Sequence, residues 1–146
     1  MSKFIFLDID GVVATTQSRY NLDPLLCARV QEIADLTGAK IVLSSTHRND
    51  PKVRQKLKKM GIAHIFGVTP DFSGGKNRGR GNEIAAFVAS NPCEVYVILD
   101  DDSFDIFQTD ELVQTNEAVG ITEMDAQDCV NILNGARRQA IMIEWC

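Results

Sequence analysis

Histidine and cysteine are scarce in this chain, with 2 His and 4 Cys among 146 residues. Cys27, Cys93, Cys129 and Cys146 are scattered, and none forms a Cys-x-x-Cys pair. That spacing excludes a thiolate metal site or a disulfide framework and leaves reduced thiols of a cytosolic protein, mostly core fillers. No cysteine has a histidine beside it in a recognisable nucleophile pattern, and His47 and His64 read as surface or structural residues. Long apolar runs are missing too: none approaches the ~20 residues of a membrane span. A core strand begins within three residues of Met1, which leaves no room for a signal or transit peptide, so the expected location is the cytoplasm. Internal repeats, low-complexity tracts and linkers are also absent. A length of 146 residues suits a single domain, expected over 1–146, that can bury roughly two thirds of its unfolded surface without a staple.

What is present is organised around one stretch, Phe4-Ile5-Phe6-Leu7-Asp8-Ile9-Asp10-Gly11-Val12-Val13. An uninterrupted apolar run of this kind reads as a strand buried on both faces, as in parallel sheets. Its carboxyl end is where an open α/β sheet holds its ligand. Two carboxylates two positions apart repel each other unless a cation or a shared proton offsets the cost. Gly11 lets the backbone turn away behind them. Taken alone, an Asp-x-Asp is more often a polar strand-end turn, and the rest of the chain changes that weighing.

Strand and helix signals alternate after it. Asp23-Pro24 and Asp50-Pro51 each offer an N-cap and a first-turn proline, with Gly38 and Gly61 as the stops. Between the two helices lies the apolar strand Ala39–Leu43, ending in Ser44-Ser45-Thr46-His47-Arg48. A short third strand is expected at Ile65–Val68, then a glycine-rich loop from Thr69 to Gly81 carrying Lys76, Arg78 and Arg80. Asn82 is the expected cap of a helix running from Glu83 to about Ser90. The fourth strand, Val95–Leu99, runs into Asp100-Asp101-Asp102. A short helical piece is expected near Ser103–Phe107, a fifth strand around Leu112–Thr115, and a last helix opened by a Thr122/Asp125 capping box. The tail 136–146 reads as a further helix or an edge-packed segment. The pattern predicts an α/β, Rossmann-like three-layer sandwich, a five-stranded parallel sheet with helices on both faces.

Parallel strands bring their carboxyl ends to one edge, so Asp8/Asp10, Ser44/Ser45 and Asp100/Asp101 converge, and the loop around Arg80 reaches them. Carboxylates at this density without His or Cys favour a hard cation such as Mg²⁺, which takes a few carboxylates, water and a substrate phosphate. A hydroxyl and a basic side chain serve the remaining phosphate oxygens.

In this order, Asp8-Ile9-Asp10-Gly11, Ser44, a basic residue before the third helix and Asp100-Asp101 resemble the four motifs of the haloacid dehalogenase (HAD) phosphohydrolase superfamily. More narrowly, Leu43–Arg48, Arg80–Ile84, Ile98–Asp101 and Val113–Thr115 with Gly120–Thr122 resemble the small HAD domains of multifunctional RNA-repair proteins. Where those usually read Ser-Ser-Trp-Arg, this chain has Thr46-His47 ahead of Arg48. The resemblance implies Asp8 as nucleophile, Asp10 as general acid and base, Ser44 (or Ser45) as the phosphoryl-holding hydroxyl and Arg80 (or Lys76 or Arg78) as the stabilising cation. It also implies Mg²⁺ held by Asp8, the backbone carbonyl of Asp10, Asp100 and Asp101, with Asp105 a weaker candidate and Asp102 a helix N-terminal residue.

Neither connection that carries cap domains in that superfamily is long enough for one here, so the site is expected to be capless and open. An open site suits a phosphate on a large partner such as a nucleic-acid end, and the basic helix of Lys52, Arg54, Lys56, Lys58 and Lys59 is a candidate backbone track. Two rival readings are a receiver-like phosphoacceptor domain and a catalytically silent binding module on the same fold. The receiver needs a lone acceptor Asp after the third strand, where this chain has Gly67-Val68-Thr69-Pro70.

Overall fold

The structure, a computed structural model, describes residues 2–135. The expectations placed on the tail 136–146 and on Cys146 lie outside those residues. Five strands, β1 (Ser2–Leu7), β2 (Lys40–Leu43), β3 (Ile65–Val68), β4 (Cys93–Asp100) and β5 (Leu112–Gln114), form one parallel sheet in the order β3-β2-β1-β4-β5. The helices are α1 (Pro24–Thr37), α2 (Pro51–Lys59), α3 (Arg80–Ser90) and α4 (Glu123–Leu133). This is the Rossmann-like α/β architecture expected. The order also separates the chain from receiver-type domains, whose sheets run 2-1-3-4-5.

The first strand alternates between two cores. Ile5 and Leu7 join a cluster with Leu26, Val30 and Ile33 of α1, Leu57 of α2 and Cys129, Ile132 and Leu133 of α4. Phe4 and Phe6 point the other way, to Ile84 and Phe87 of α3, with edge-on ring contacts from Phe87 to both phenylalanines. Helices α1, α2 and α4 therefore cover one face and α3 the other. Cys27 and Cys129 are buried fillers, as expected.

The caps behave as the sequence indicates. Asp23 accepts from the Leu25 N–H, Asp50 from the Lys52 N–H, Gly38 closes α1 at φ 74°, and Thr122 and Asp125 form the reciprocal capping box. Two expectations are corrected. Helix α3 starts at Arg80, not at Glu83, and its N-cap is Gly79 without a side-chain bond. Asn82 lies inside the helix and donates to the Arg78 carbonyl. The segment 103–107 is a turn closed by Ile106 N–H to Ser103 O (3.1 Å), not a helix. Asp102 caps that turn by accepting from the Phe104 N–H.

The two corrections have one cause. Gly81 donates its N–H to the Asp105 carbonyl (2.9 Å) and accepts from the Gln108 side chain (2.8 Å). The 103–108 turn is thus docked on the first turn of α3. A Cβ at Gly81 would stand 2.6 Å from the Asp105 oxygen, so this close approach needs glycine. Among the described residues, no helix is long and apolar enough to cross a membrane.

Candidate active site

Strand register builds the site. Leu43, Leu7 and Leu99 lie side by side across β2, β1 and β4, all in the α1/α2/α4 core. The next residue of each strand, Ser44, Asp8 and Asp100, therefore turns to the opposite face, the α3 side. The row is held by backbone bonds: Ser44 N–H to Leu7 O and Asp8 N–H to Leu99 O, both 3.0 Å. The first turn of α3 brings Arg80 to this row. Its Nη1 donates to Asp100 Oδ2 at 2.6 Å and lies 3.4 Å from Asp8 Oδ2. Of the three basic candidates in the loop, Arg80 is the one that reaches the carboxylates. Arg78 lines a neighbouring cleft with Thr46 and Gly74, while Lys76 is exposed.

Carboxylate oxygens of Asp8, Asp100 and Asp101 lie within 4.8 Å of one another. Asp8 is 7% exposed and Asp100 fully buried. Burial, and then the charge of Asp100, push the Asp8 carboxyl up to about 7, against the opposing pull of Arg80. Asp101 is raised as well, by burial first and Asp100 second. Burial alone would lower the Arg80 guanidinium, but the facing Asp8 and Asp100 outweigh it and raise it. A carboxylate cluster with this self-repulsion fits a hard divalent cation, which would favour the ionised forms.

The remaining candidates separate. Asp10 follows on the turn, where Val12, Val13 and Ala14 donate their N–H groups to the Ile9 carbonyl. Its side chain is half exposed, stands outside the three-carboxylate cluster, and lies 3.7 Å from His47 Nε2. Ser45 accepts from the His47 N–H (3.1 Å), and it follows Ser44 rather than standing in the Ser44–Asp8–Asp100 row. Ser44 Oγ is buried and has no hydrogen-bond partner, a hydroxyl left unclaimed beside the row. Asp105 sits in the turn docked on α3 and is not part of the carboxylate cluster.

Several contributors take roles that no spacing in the sequence assigns. Thr115, just past β5, donates its hydroxyl to the Gly11 carbonyl at 2.6 Å and pins the Asp8–Gly11 turn. Thr46 lines the pocket with Asp8, Asp10, Arg80 and Asp100. Tyr20, in a loop that reads only as polar, lines the same pocket. Arg48 and Glu83 form a buried pair at 3.0 Å. Arg48 also donates to the carbonyls of Ser45, Thr69 and Pro70, and Glu83 accepts from the Phe72 N–H. This network fastens the Ser44–Arg48 loop to the end of β3 and the start of α3.

Gly11 has φ +83°, and a Cβ there would lie 2.3 Å from Asp101 Cγ. Gly11→Ala is therefore expected to displace Asp101 from the carboxylate cluster and to cost about 1–3 kcal/mol of stability, read by thermal melting.

Fold and site together define a HAD-type domain, a class with phosphatase and hydrolase activity generally. Within it, residues 4–126 match the family described as the HAD domain in Swiss Army Knife RNA repair proteins, and the chain belongs to that family. No curated protein and no solved structure matches the chain.

Proposed function

We propose that the protein is a Mg²⁺-dependent phosphomonoester hydrolase working through an aspartyl phosphate on Asp8. The observation that carries this reading is the row at the sheet edge: a buried Asp8 with two further carboxylates within 4.8 Å and Arg80 against it. An Asp8 oxygen attacks phosphorus as the bond to the leaving oxygen breaks, and Asp10 supplies the proton to that oxygen. Asp10 then takes a proton from water, which attacks the phosphorus, frees inorganic phosphate and restores Asp8. Arg80 and the unclaimed Ser44 hydroxyl stabilise charge on the transferring group. Asp8, Asp100, Asp101 and the backbone carbonyl of Asp10 would hold Mg²⁺, which when bound offsets the negative charge of the carboxylates and the phosphoryl oxygens.

The connections that would carry a cap, 8–23 and 69–79, hold no inserted domain. This openness supports a large substrate such as a phosphorylated nucleic-acid end. The test is phosphate release from a panel of 3′- and 5′-phosphorylated RNA and DNA ends, mononucleotides and phosphopeptides with Mg²⁺. Turnover is expected to stop with EDTA and return with Mg²⁺; activity unchanged by thorough chelation removes the metal assignment. Mg²⁺ binding without turnover on any ester would favour the silent binding module.

A thermal test follows from Asp8. Its folded pKa of about 7 lies above the ordinary 3.8. The ionised form is thus disfavoured in the folded state, and metal-free stability falls as pH rises from about 4 through 7. Mg²⁺ should raise Tm more at pH 8 than at pH 5. Equal shifts at both pH values would argue against binding at this cluster.

A further inference from the structure

A second cleft, ≈ 620 Å³, opens beside the site and shares Asp10 and Tyr20 with it. Its walls are Tyr20, His47, Leu22, Val53 and Met60, with Lys56 of α2 on the rim. From this geometry we infer that the cleft is the leaving-group subsite, and that it takes a nucleoside whose base lies against Tyr20 and His47 while Lys56 meets a neighbouring phosphate. The inference rests on the phosphohydrolase reading.

Position argues first. The leaving oxygen must lie within reach of the general acid, and Asp10 lines this cleft but not the cleft beside Arg78. That other cleft mixes three arginines with five carboxylates, and two of the arginines, Arg48 and Arg80, already pair with Glu83 and Asp100. Chemistry argues second. The walls combine aliphatic side chains with two exposed flat rings, and among the described residues the Asp and Lys side chains of the lining are one carboxylate, at the acid position, and one ammonium. A planar, weakly polar group with an anion beyond it matches that lining.

Construction argues third. Tyr20 is 52% exposed, yet the backbone at Arg19 and Tyr20 is left-handed, at φ 55° and 60°. That conformation is costly for non-glycine residues and is held in place here. Tyr20 N–H bonds to Thr15 O at 2.7 Å, and the Ser18 hydroxyl ties the loop by accepting from the Thr15 N–H and donating to the Asn21 carbonyl. His47 lies 3.7 Å from Asp10, so its ring stands at the wall beside the acid position.

The test compares kcat/KM for adenosine 3′- and 5′-monophosphate, a phosphorylated oligonucleotide and glycerol 2-phosphate, in the wild type, Tyr20→Phe, Tyr20→Ala and Lys56→Glu. Wild type is expected to prefer at least one nucleotide ester over glycerol phosphate. Tyr20→Ala should cut that preference roughly tenfold, mainly through KM, and Tyr20→Phe should keep it. A larger KM rise with Lys56→Glu on the oligonucleotide than on the mononucleotide, steeper at low salt, assigns a nucleic-acid end; equal rises assign a free nucleotide. A wild type indifferent among esters, or a preference that survives Tyr20→Ala, overturns the subsite. Titration of Asp8→Asn with the same nucleotides and Mg²⁺ decides the cleft independently of turnover. If no ester is hydrolysed but this variant binds nucleotides and loses them with Tyr20→Ala, the cleft stands and the hydrolase reading falls. Absence of that binding overturns the cleft.

Discussion

Asp8→Asn is expected to lose turnover roughly a thousandfold or more while the protein stays folded. An amide has nearly the shape of the carboxylate but cannot form an acyl phosphate with phosphorus. Its fold should persist, because the Asp8 backbone bond to Leu99 O is untouched and the change removes a buried charge beside Asp100. Without divalent cation, the variant should melt higher than the wild type at pH 8, where the wild-type carboxylate is ionised at a cost. At pH 5 the gap should narrow, since protonated Asp8 carries no charge to desolvate. Wild-type protein with Mg²⁺ should also bind beryllium fluoride as a phosphoryl mimic on Asp8, a signal visible by fluorine NMR and absent from Asp8→Asn. Phosphate release by pure Asp8→Asn above about one part in a hundred of wild type would move the nucleophile elsewhere.

Much of this site is legible in the sequence because a parallel sheet converts sequence order into position. The three central strands show themselves as apolar runs, and each of these runs ends in the residue that matters: Leu7 before Asp8, Leu43 before Ser44, Leu99 before Asp100. The caps are legible for a similar reason, since Asp-Pro and Thr-x-x-Asp act on bonds a few positions away.

The start of α3 was not legible, because what decides it is non-local. Gly79 and Gly81 look like loop residues, and the 103–108 turn, docked through Asp105 24 positions beyond Gly81, is what makes Gly79 the N-cap and Gly81 the second residue of the helix. The choice between Ser44 and Ser45 likewise depends on where β2 ends: register with Leu7 puts Ser44 beside Asp8, and its hydroxyl has no partner there. Tyr20 carried no signal beyond one aromatic residue in a polar loop. Arg48 and Glu83 stood in recognisable segments, but their pairing across 35 positions follows from the β2–β3 packing and no spacing announces it.

That pair supports the second large expected effect. Arg48→Ala should destabilise the protein by about 3–5 kcal/mol, the usual cost of stranding one partner of a buried ion pair. For a domain of this size that is a fall in Tm of roughly 10–20 °C. Arg48 is 3% exposed, and its loss leaves the Glu83 carboxylate buried with the Phe72 N–H as its remaining hydrogen-bond donor among the described residues. The carbonyls of Ser45, Thr69 and Pro70 lose a donor at the same time. Arg48→Lys should recover only part, since an ammonium cannot span acceptors that the planar guanidinium reaches from three nitrogens. Glu83→Gln should be milder than Arg48→Ala, because the amide oxygen still accepts from Phe72 and from Arg48. Activity adds a readout that stability alone would not move. Below its melting temperature, Arg48→Lys should show a reduced kcat, because the network fixes the Ser44–Arg48 loop and the α3 turn that aims Arg80. A variant Arg48→Lys that melts lower yet turns over at the wild-type kcat would confine Arg48 to holding the fold, and an Arg48→Ala protein as stable as the wild type would mean the pair is not buried as described.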